Sequence, residues 1–128
     1  MGLSILVVDD YVENTEMMGH MLHILGHQCA SAHDGETALA ILKDTRFDLI
    51  ITDDRMGTMS GFDLAAAVRA DSNTAQIPIL LVSAYDYEPD ELSRRMAASG
   101  INAFLPRPWT PEKLRSTIES LAKRSTDV

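Results

Sequence analysis

Two apolar runs that each end in a pair of aspartates decide the fold of this chain: ILVVDD at residues 5–10 and LIITDD at residues 49–54. Short runs of branched apolar residues are typical of strands that are covered on both faces of a parallel sheet. In an open α/β sheet, ligands bind outside the carboxyl ends of the strands, where the strand order reverses. The aspartates therefore mark a candidate binding edge.

Carboxylates that gather at one edge repel one another unless a cation or bound protons compensate their charge. A ligand set made only of oxygen atoms suits Mg²⁺. We therefore expect Asp9, Asp10 and Asp53 to converge in an acidic, magnesium-dependent pocket.

Strand-like runs alternate with longer helical patterns along the whole chain. We predict strands over residues 3–8, 28–32, 47–52, 77–83 and 101–105, and helices over 12–25, 36–43, 62–70, 89–99 and 111–123. Strict alternation implies a parallel sheet with helices on both faces, and right-handed crossovers leave few topologies. We expect a flavodoxin-like (βα)5 fold with strand order 2-1-3-4-5, which places the first and third strands side by side.

Composition limits the function classes. The 128 residues suit one domain, predicted over 1–123, with 124–128 as a frayed tail or the start of a linker. A net charge of −8 argues against direct binding of a nucleic-acid backbone or of an anionic membrane surface. No apolar stretch approaches the roughly 20 residues of a membrane span. The single cysteine, Cys29, excludes an internal disulfide, and a cytoplasmic chain is expected.

Characteristic residues stand in order at the ends of the predicted strands. They are Val8-Asp9-Asp10, Asp53 with Met59-Ser60-Gly61 downstream, Ser83-Ala84, and Phe104 with Arg107-Pro108. In this order and at these places they resemble the receiver domain of bacterial two-component response regulators, over nearly the whole chain.

The resemblance implies a chemical role for several residues. Asp53 is implied to be the phosphoacceptor, taking a phosphoryl group from a histidine of a sensor kinase or of a histidine phosphotransfer protein. Asp9, Asp10, Asp53 and the backbone carbonyl of Arg55 are the implied Mg²⁺ ligands. Such a chain catalyses its own phosphoryl transfer and dephosphorylation and is not an enzyme for an external small molecule.

The resemblance also implies a switch. Ser83 and Arg107 are expected to contact phosphoryl oxygens. Ser83 is then drawn toward the new group and Phe104 repacks, which remodels the face formed by the fourth helix, fifth strand and fifth helix. A downstream protein or a covalently attached domain would recognise that face.

Three residues depart from the pattern of the family. Arg107 replaces a lysine, Gly57 replaces a usual proline and is expected to loosen its loop, and Asp54 replaces a usual apolar residue and is expected to face solvent. These departures leave open an alternative, a degenerate pseudo-receiver that acts as a protein-interaction module without phosphorylation. A phosphatase or phosphotransferase of the haloacid-dehalogenase type is disfavoured, because the Asp9-Asp10-Tyr11 segment lacks the Asp-x-Asp spacing.

Other conspicuous residues are expected to be structural. His20, His23 and His27 are predicted to lie on an exposed polar face of the first helix, and Cys29 is predicted to be buried. The methionines of the first helix are predicted to fill the core: Met17, Met18 and Met21. The bond between Arg107 and Pro108 is predicted to be cis, as it often is in the family.

Overall fold

A five-stranded parallel sheet lies between two layers of helices in the computed structural model, which describes residues 2–126. The strands are β1 (Ser4–Val8), β2 (Gln28–Ala32), β3 (Leu49–Thr52), β4 (Ile79–Ser83) and β5 (Ala103–Pro106). The helices are α1 (Val12–Ile24), α2 (Gly35–Asp44), α3 (Gly61–Ala70), α4 (Pro89–Ser99) and α5 (Pro111–Thr126). Every predicted element is present within this part of the chain.

The order of the strands brings the ends of β1 and β3 together. The order is β2-β1-β3-β4-β5, with all neighbouring pairs parallel, which confirms the flavodoxin-like prediction. Val8 of β1 lies opposite Thr52 of β3. The backbone N–H of Asp53 donates to the carbonyl of Val8 at 2.9 Å, so the pairing continues one residue past β3.

Alternate residues of the central strands pack into two separate cores. Leu6 and Val8 of β1 join a core with α2, α3 and α4. Ile5 and Val7 join a second core with α1 and α5. All residues of β3 and β4 are buried, as expected for strands covered on both faces. Packing on both sides therefore fixes the strand ends from which the site residues project.

A capping box fixes the start of α3 and so anchors the loop that follows β3. The Ser60 hydroxyl accepts from the backbone N–H of Asp63 at 3.1 Å, and the Asp63 carboxylate accepts from the backbone N–H of Ser60 at 3.2 Å. This reciprocal pair satisfies two backbone donors that the first turn leaves free.

Several local predictions were wrong. Cys29 is exposed rather than buried, because it lies on β2, at the edge of the sheet. Met17 is 56% exposed, whereas Met18 is buried as predicted. Helix α5 continues to Thr126, past the predicted end at Lys123. Residues 124–126 of the predicted tail are therefore helical, and 127–128 lie outside the described residues. His20 and His23 are exposed, as predicted, but the prediction for His27 was wrong: it lies after the end of α1, is half-buried, and its Nδ1 accepts from the backbone N–H of Leu3 at 3.0 Å.

Candidate functional site

Three aspartates meet at the carboxyl edge of the sheet. Asp9 and Asp10 follow β1 and Asp53 follows β3, and each offers a carboxylate oxygen within 4.8 Å of the others. Asp9 is only 2% exposed, Asp53 is half-buried and Asp10 is exposed. The structure therefore confirms the prediction that these three side chains lie close together.

The Asp9 carboxylate is held in place by the first turn of α1. The backbone N–H of Tyr11 donates to its Oδ1 at 3.0 Å, and the side-chain amide of Asn14 donates to its Oδ2 at 3.1 Å. Sequence reasoning missed Asn14. Its signal was an amide placed five residues after Asp9, inside the first turn of the helix that follows the acidic pair.

Arg107 neutralises part of the charge of this cluster. Its guanidinium donates to Oδ2 of Asp9 at 2.8 Å and to Oδ1 of Asp53 at 3.4 Å. The side chain reaches the cluster from the loop after β5, where the Arg107–Pro108 bond is cis, as predicted. The fork geometry of arginine allows one side chain to bind two carboxylates at once.

The pKa of Asp53 is raised to about 6. Burial is the largest cause, because it disfavours the charged carboxylate, and the negative charge of Asp9 adds to it. The guanidinium of Arg107 acts in the opposite direction. With this pKa, Asp53 is mostly ionised at about pH 7 but takes up a proton far more readily than an exposed aspartate does.

Two glycines shape the connection from β3 to α3: the first residue of α3 lies close to Asp53, and a glycine in the loop before it turns the chain sharply. A Cβ atom on Gly61 would lie 2.3 Å from the carbonyl oxygen of Asp53, so only glycine permits this close approach. Gly57 has a φ of +82°, in the left-handed region. Proline cannot adopt this φ, which is a physical reason why this loop carries glycine at position 57.

Ser83 and Phe104 lie on the two strands beyond β3. Ser83 ends β4 and is buried, and its hydroxyl accepts from the backbone N–H of Tyr85 at 3.1 Å. That contact leaves the hydroxyl hydrogen of Ser83 available for an acceptor. Phe104 is half-buried on β5, where it lies opposite Leu81. The backbone N–H of Arg107 donates to the Ser83 carbonyl at 3.0 Å, so the ends of β4 and β5 are joined directly.

Asp54 does not face solvent, and that prediction was wrong. The side chain is buried, with 4% of its surface exposed, and its Oδ2 accepts a hydrogen bond from the hydroxyl of Tyr87. Burial raises the pKa of the Asp54 carboxyl, and the positive charges of Arg95 and Arg55 partly oppose that rise. The Arg55 side chain is exposed and lies over the ring of Tyr85, with its guanidinium carbon 4.2 Å from the ring centroid.

Comparison with known proteins identifies the family. The sequence model of the response regulator receiver domain matches residues 5–119. This chain belongs to the response regulator receiver family. Among curated relatives of this receiver domain, the chemotaxis protein CheY of Pseudomonas aeruginosa is 36% identical over 123 residues, which are 95% of this chain and 98% of the relative.

Solved receiver structures share the fold. The chemotaxis response regulator CheY4 of Vibrio cholerae superimposes with a TM-score of 0.86 at 33% identity, covering 94% of this chain and 99% of that one. The receiver domain of a sensor histidine kinase of Pseudomonas aeruginosa superimposes with a TM-score of 0.84 at 25% identity, covering 95% and 98% of the two chains. That domain was solved with a magnesium ion coordinated in its active-site cleft.

The residues of this receiver domain fit a divalent cation. Three carboxylates lie within 4.8 Å of one another, and the guanidinium of Arg107 binds two of them, those of Asp9 and Asp53, so negative charge remains in excess at the cluster. Their donor atoms are all oxygen, the type that Mg²⁺ prefers.

Within residues 2–126, no helix combines the length and the apolar character that a membrane crossing requires.

Proposed function

We propose that Asp53 is the phosphoacceptor of this receiver domain. A carboxylate oxygen of Asp53 attacks the phosphorus of a phosphohistidine. The phosphorus–nitrogen bond breaks, and its electron pair returns to the imidazole, which takes up a proton. The observation that carries the proposal is the position of Asp53, at the end of β3 among two further aspartates and one arginine.

A magnesium ion is the cofactor that we propose for this reaction. Asp9, Asp10 and Asp53 would hold it, together with the backbone carbonyl of Arg55, whose role as a ligand stays a prediction. When bound, the ion supplies positive charge that stabilises the equatorial oxygens of the transferring group. The magnesium reported for the kinase receiver domain supports this choice of metal.

Side chains of the chain itself would orient the phosphoryl group. Arg107 already lies 3.4 Å from Asp53, and an anion on that carboxylate would find the guanidinium within reach. The hydroxyl of Ser83 has its hydrogen free to donate to a second phosphoryl oxygen. Tyr11 and Asn14 hold the Asp9 carboxylate in a fixed orientation through both of its oxygens. These residues bind and orient, so the barrier falls chiefly through positioning and charge stabilisation.

Phosphorylation would act as a switch at Ser83 and Phe104. The added group brings about −1.5 to −2 charges and three acceptor oxygens. Ser83 moves toward it, the loop between β4 and α4 follows, and the ring of Phe104 repacks. The face formed by α4, β5 and α5 then changes its shape and binds, or releases, a downstream protein or attached domain.

The proposed donor is a sensor histidine kinase or a histidine phosphotransfer protein, and the proposed compartment is the cytoplasm. Support comes from the relatives, which include both a chemotaxis regulator and a receiver domain of a sensor histidine kinase. The net charge of −8 supports a protein partner over nucleic acid.

Intact mass spectrometry after incubation with acetyl phosphate and Mg²⁺ tests the function. We expect one phosphate adduct in the natural chain, and none in Asp53→Asn or when a chelator replaces the magnesium. The matched control is Asp48→Asn, which alters an exposed aspartate at the opposite end of β3 and should leave the adduct intact. If no competent phosphodonor, histidine kinases included, yields an adduct, the pseudo-receiver alternative replaces the proposal.

A further inference from the structure

A buried carboxylate that takes no part in the proposed chemistry lies directly after the phosphoacceptor. Asp54 is 4% exposed, and the hydroxyl of Tyr87 donates to its Oδ2. Tyr87 belongs to the loop between β4 and α4, four residues after Ser83. The bond therefore links the loop that should move with Ser83 to the residue that follows Asp53.

The ring of Tyr87 is also packed against the second switch residue. It meets the ring of Phe104 edge-on, with centroids 5.8 Å apart and planes at 87°, and it meets Phe62 of α3 at 6.0 Å and 83°. Tyr87 is 8% exposed, so little free space surrounds it. Edge-to-face contacts of this kind have defined geometry, and Phe104 cannot repack without displacing the ring of Tyr87.

Two arginines cover this aromatic group. The guanidinium of Arg95 lies 4.0 Å from the ring centroid of Phe62 and 5.8 Å from that of Tyr87. The guanidinium of Arg55 lies over Tyr85, whose ring is 4.6 Å from Tyr87. These rings and arginines therefore connect the loop after β3, the loop after β4, and helices α3 and α4 around the hydrogen bond between Tyr87 and Asp54.

We propose that Tyr87 is a positioning residue whose hydrogen bond to Asp54 acts as a latch on the switch. The latch holds the loop between β4 and α4, and with it the ring of Phe104, in the arrangement of the unphosphorylated chain. This inference rests on the proposed function at Asp53, because phosphorylation there is what draws Ser83 and its loop away. The backbone N–H of Tyr85 donates a hydrogen bond to the Ser83 hydroxyl, so movement of Ser83 pulls on the loop just before Tyr87.

Removal of the latch should favour the switched state and, by linkage, the phosphorylation that stabilises it. Tyr87→Phe removes only the hydroxyl and keeps the ring packed against Phe62 and Phe104. Tyr85→Phe is the matched control. It lies in the same loop, and its hydroxyl has no hydrogen-bond partner among residues 2–126.

Hydrogen exchange of the unphosphorylated chain gives the first readout. A hydrogen bond to a carboxylate contributes enough that its loss should speed exchange of the amides of residues 85–88 about tenfold in Tyr87→Phe. The Tyr85→Phe control should stay within about twofold of the natural chain. Equal exchange in the two variants overturns the latch.

The second readout is the rate of phosphorylation by acetyl phosphate and Mg²⁺. Loss of the latch should raise this rate, whereas loss of a merely structural contact should not. We expect Tyr87→Phe to be phosphorylated several-fold faster, and Asp54→Ala to add nothing further when combined with it. A rate that is unchanged or slower overturns the latch, since simple damage to the loop would slow the reaction. A natural chain that forms no phosphate adduct overturns the proposed function instead, and the exchange comparison then decides alone whether the hydroxyl restrains the loop.

Discussion

Replacement of Arg107 by methionine should lower the stability of the metal-free chain and increase its affinity for Mg²⁺. The guanidinium binds Asp9 at 2.8 Å and Asp53 at 3.4 Å, and it is the cation that the structure of residues 2–126 places on these carboxylates. Methionine keeps an unbranched side chain about as long as the stem of arginine but has no charge. The variant therefore tests whether Arg107 and a divalent cation neutralise the same negative charges.

The magnitude follows from the spacing of the carboxylates. At the 4.8 Å that bounds the cluster, two negative charges repel by about 3 kcal/mol at an effective dielectric constant near 20. The Arg107 side chain is 24% exposed, so water already weakens the attraction that offsets this repulsion. We expect a net loss of about 2 kcal/mol in the metal-free chain, within the range for hydrogen bonds to charged groups. For a domain of this size that loss lowers Tm by roughly 8 °C.

Thermal unfolding in a chelator and in saturating Mg²⁺ measures both parts of the prediction. The cation should restore most of the lost stability, so the rise in Tm caused by Mg²⁺ should be larger in Arg107→Met than in the natural chain. A difference of about 2 kcal/mol corresponds to about thirtyfold tighter binding of the cation. Arg115→Met, which removes an exposed arginine of α5, is the control for the loss of one positive charge. An equal rise in Tm in all three chains would refute the shared-charge reasoning.

Three further predictions concern Asp53 and its loop. The pKa of Asp53 is raised to about 6 in the folded chain, so the folded state binds this proton more tightly than the unfolded chain does. The stabilisation that the bound proton provides is present at low pH and is lost as the pH rises through about 6. Asp53→Asn should therefore raise the free energy of unfolding, measured with urea in a chelator, by about 2 kcal/mol at about pH 8 and hardly at about pH 4; equal gains at both would contradict this. Gly57→Pro should destabilise the chain by more than about 1 kcal/mol, since φ is +82°, and a proline variant as stable as the natural chain would contradict it. Gly61→Ala should slow phosphorylation by about tenfold or more, because its Cβ meets the Asp53 carbonyl; an unchanged rate would exclude this.

Local sequence patterns determined most of the fold and the core of the site. β3 and β4 are apolar throughout because both faces are covered, and such runs can be recognised without any knowledge of long-range contacts. The convergence of Asp9 and Asp53 then follows from topology, because the ends of adjacent parallel strands share one edge. The capping box at Ser60 is likewise a local signal.

The features that sequence reasoning missed depend on contacts between distant segments. Asp54 is buried, and the partner that its carboxylate needs there is the hydroxyl of Tyr87, thirty-three residues later, a pairing that no local pattern encodes. Cys29 is an exception: it is exposed because β2 is an edge strand, and the predicted strand order already placed β2 at the edge, so this exposure could have been inferred from the sequence. Asn14 supports Asp9 from a helical turn, but an isolated asparagine there equally suits an exposed position.

Location of the phosphoryl group on a single side chain tests the central claim most directly. The chain is incubated with acetyl phosphate and Mg²⁺, the acyl phosphate is reduced with borohydride to homoserine, and peptides spanning Asp53 and Asp54 are sequenced by mass spectrometry. We predict homoserine at Asp53 alone. Homoserine at Asp54, or unmodified aspartate at both positions despite a phosphate adduct on the intact chain, would contradict the account.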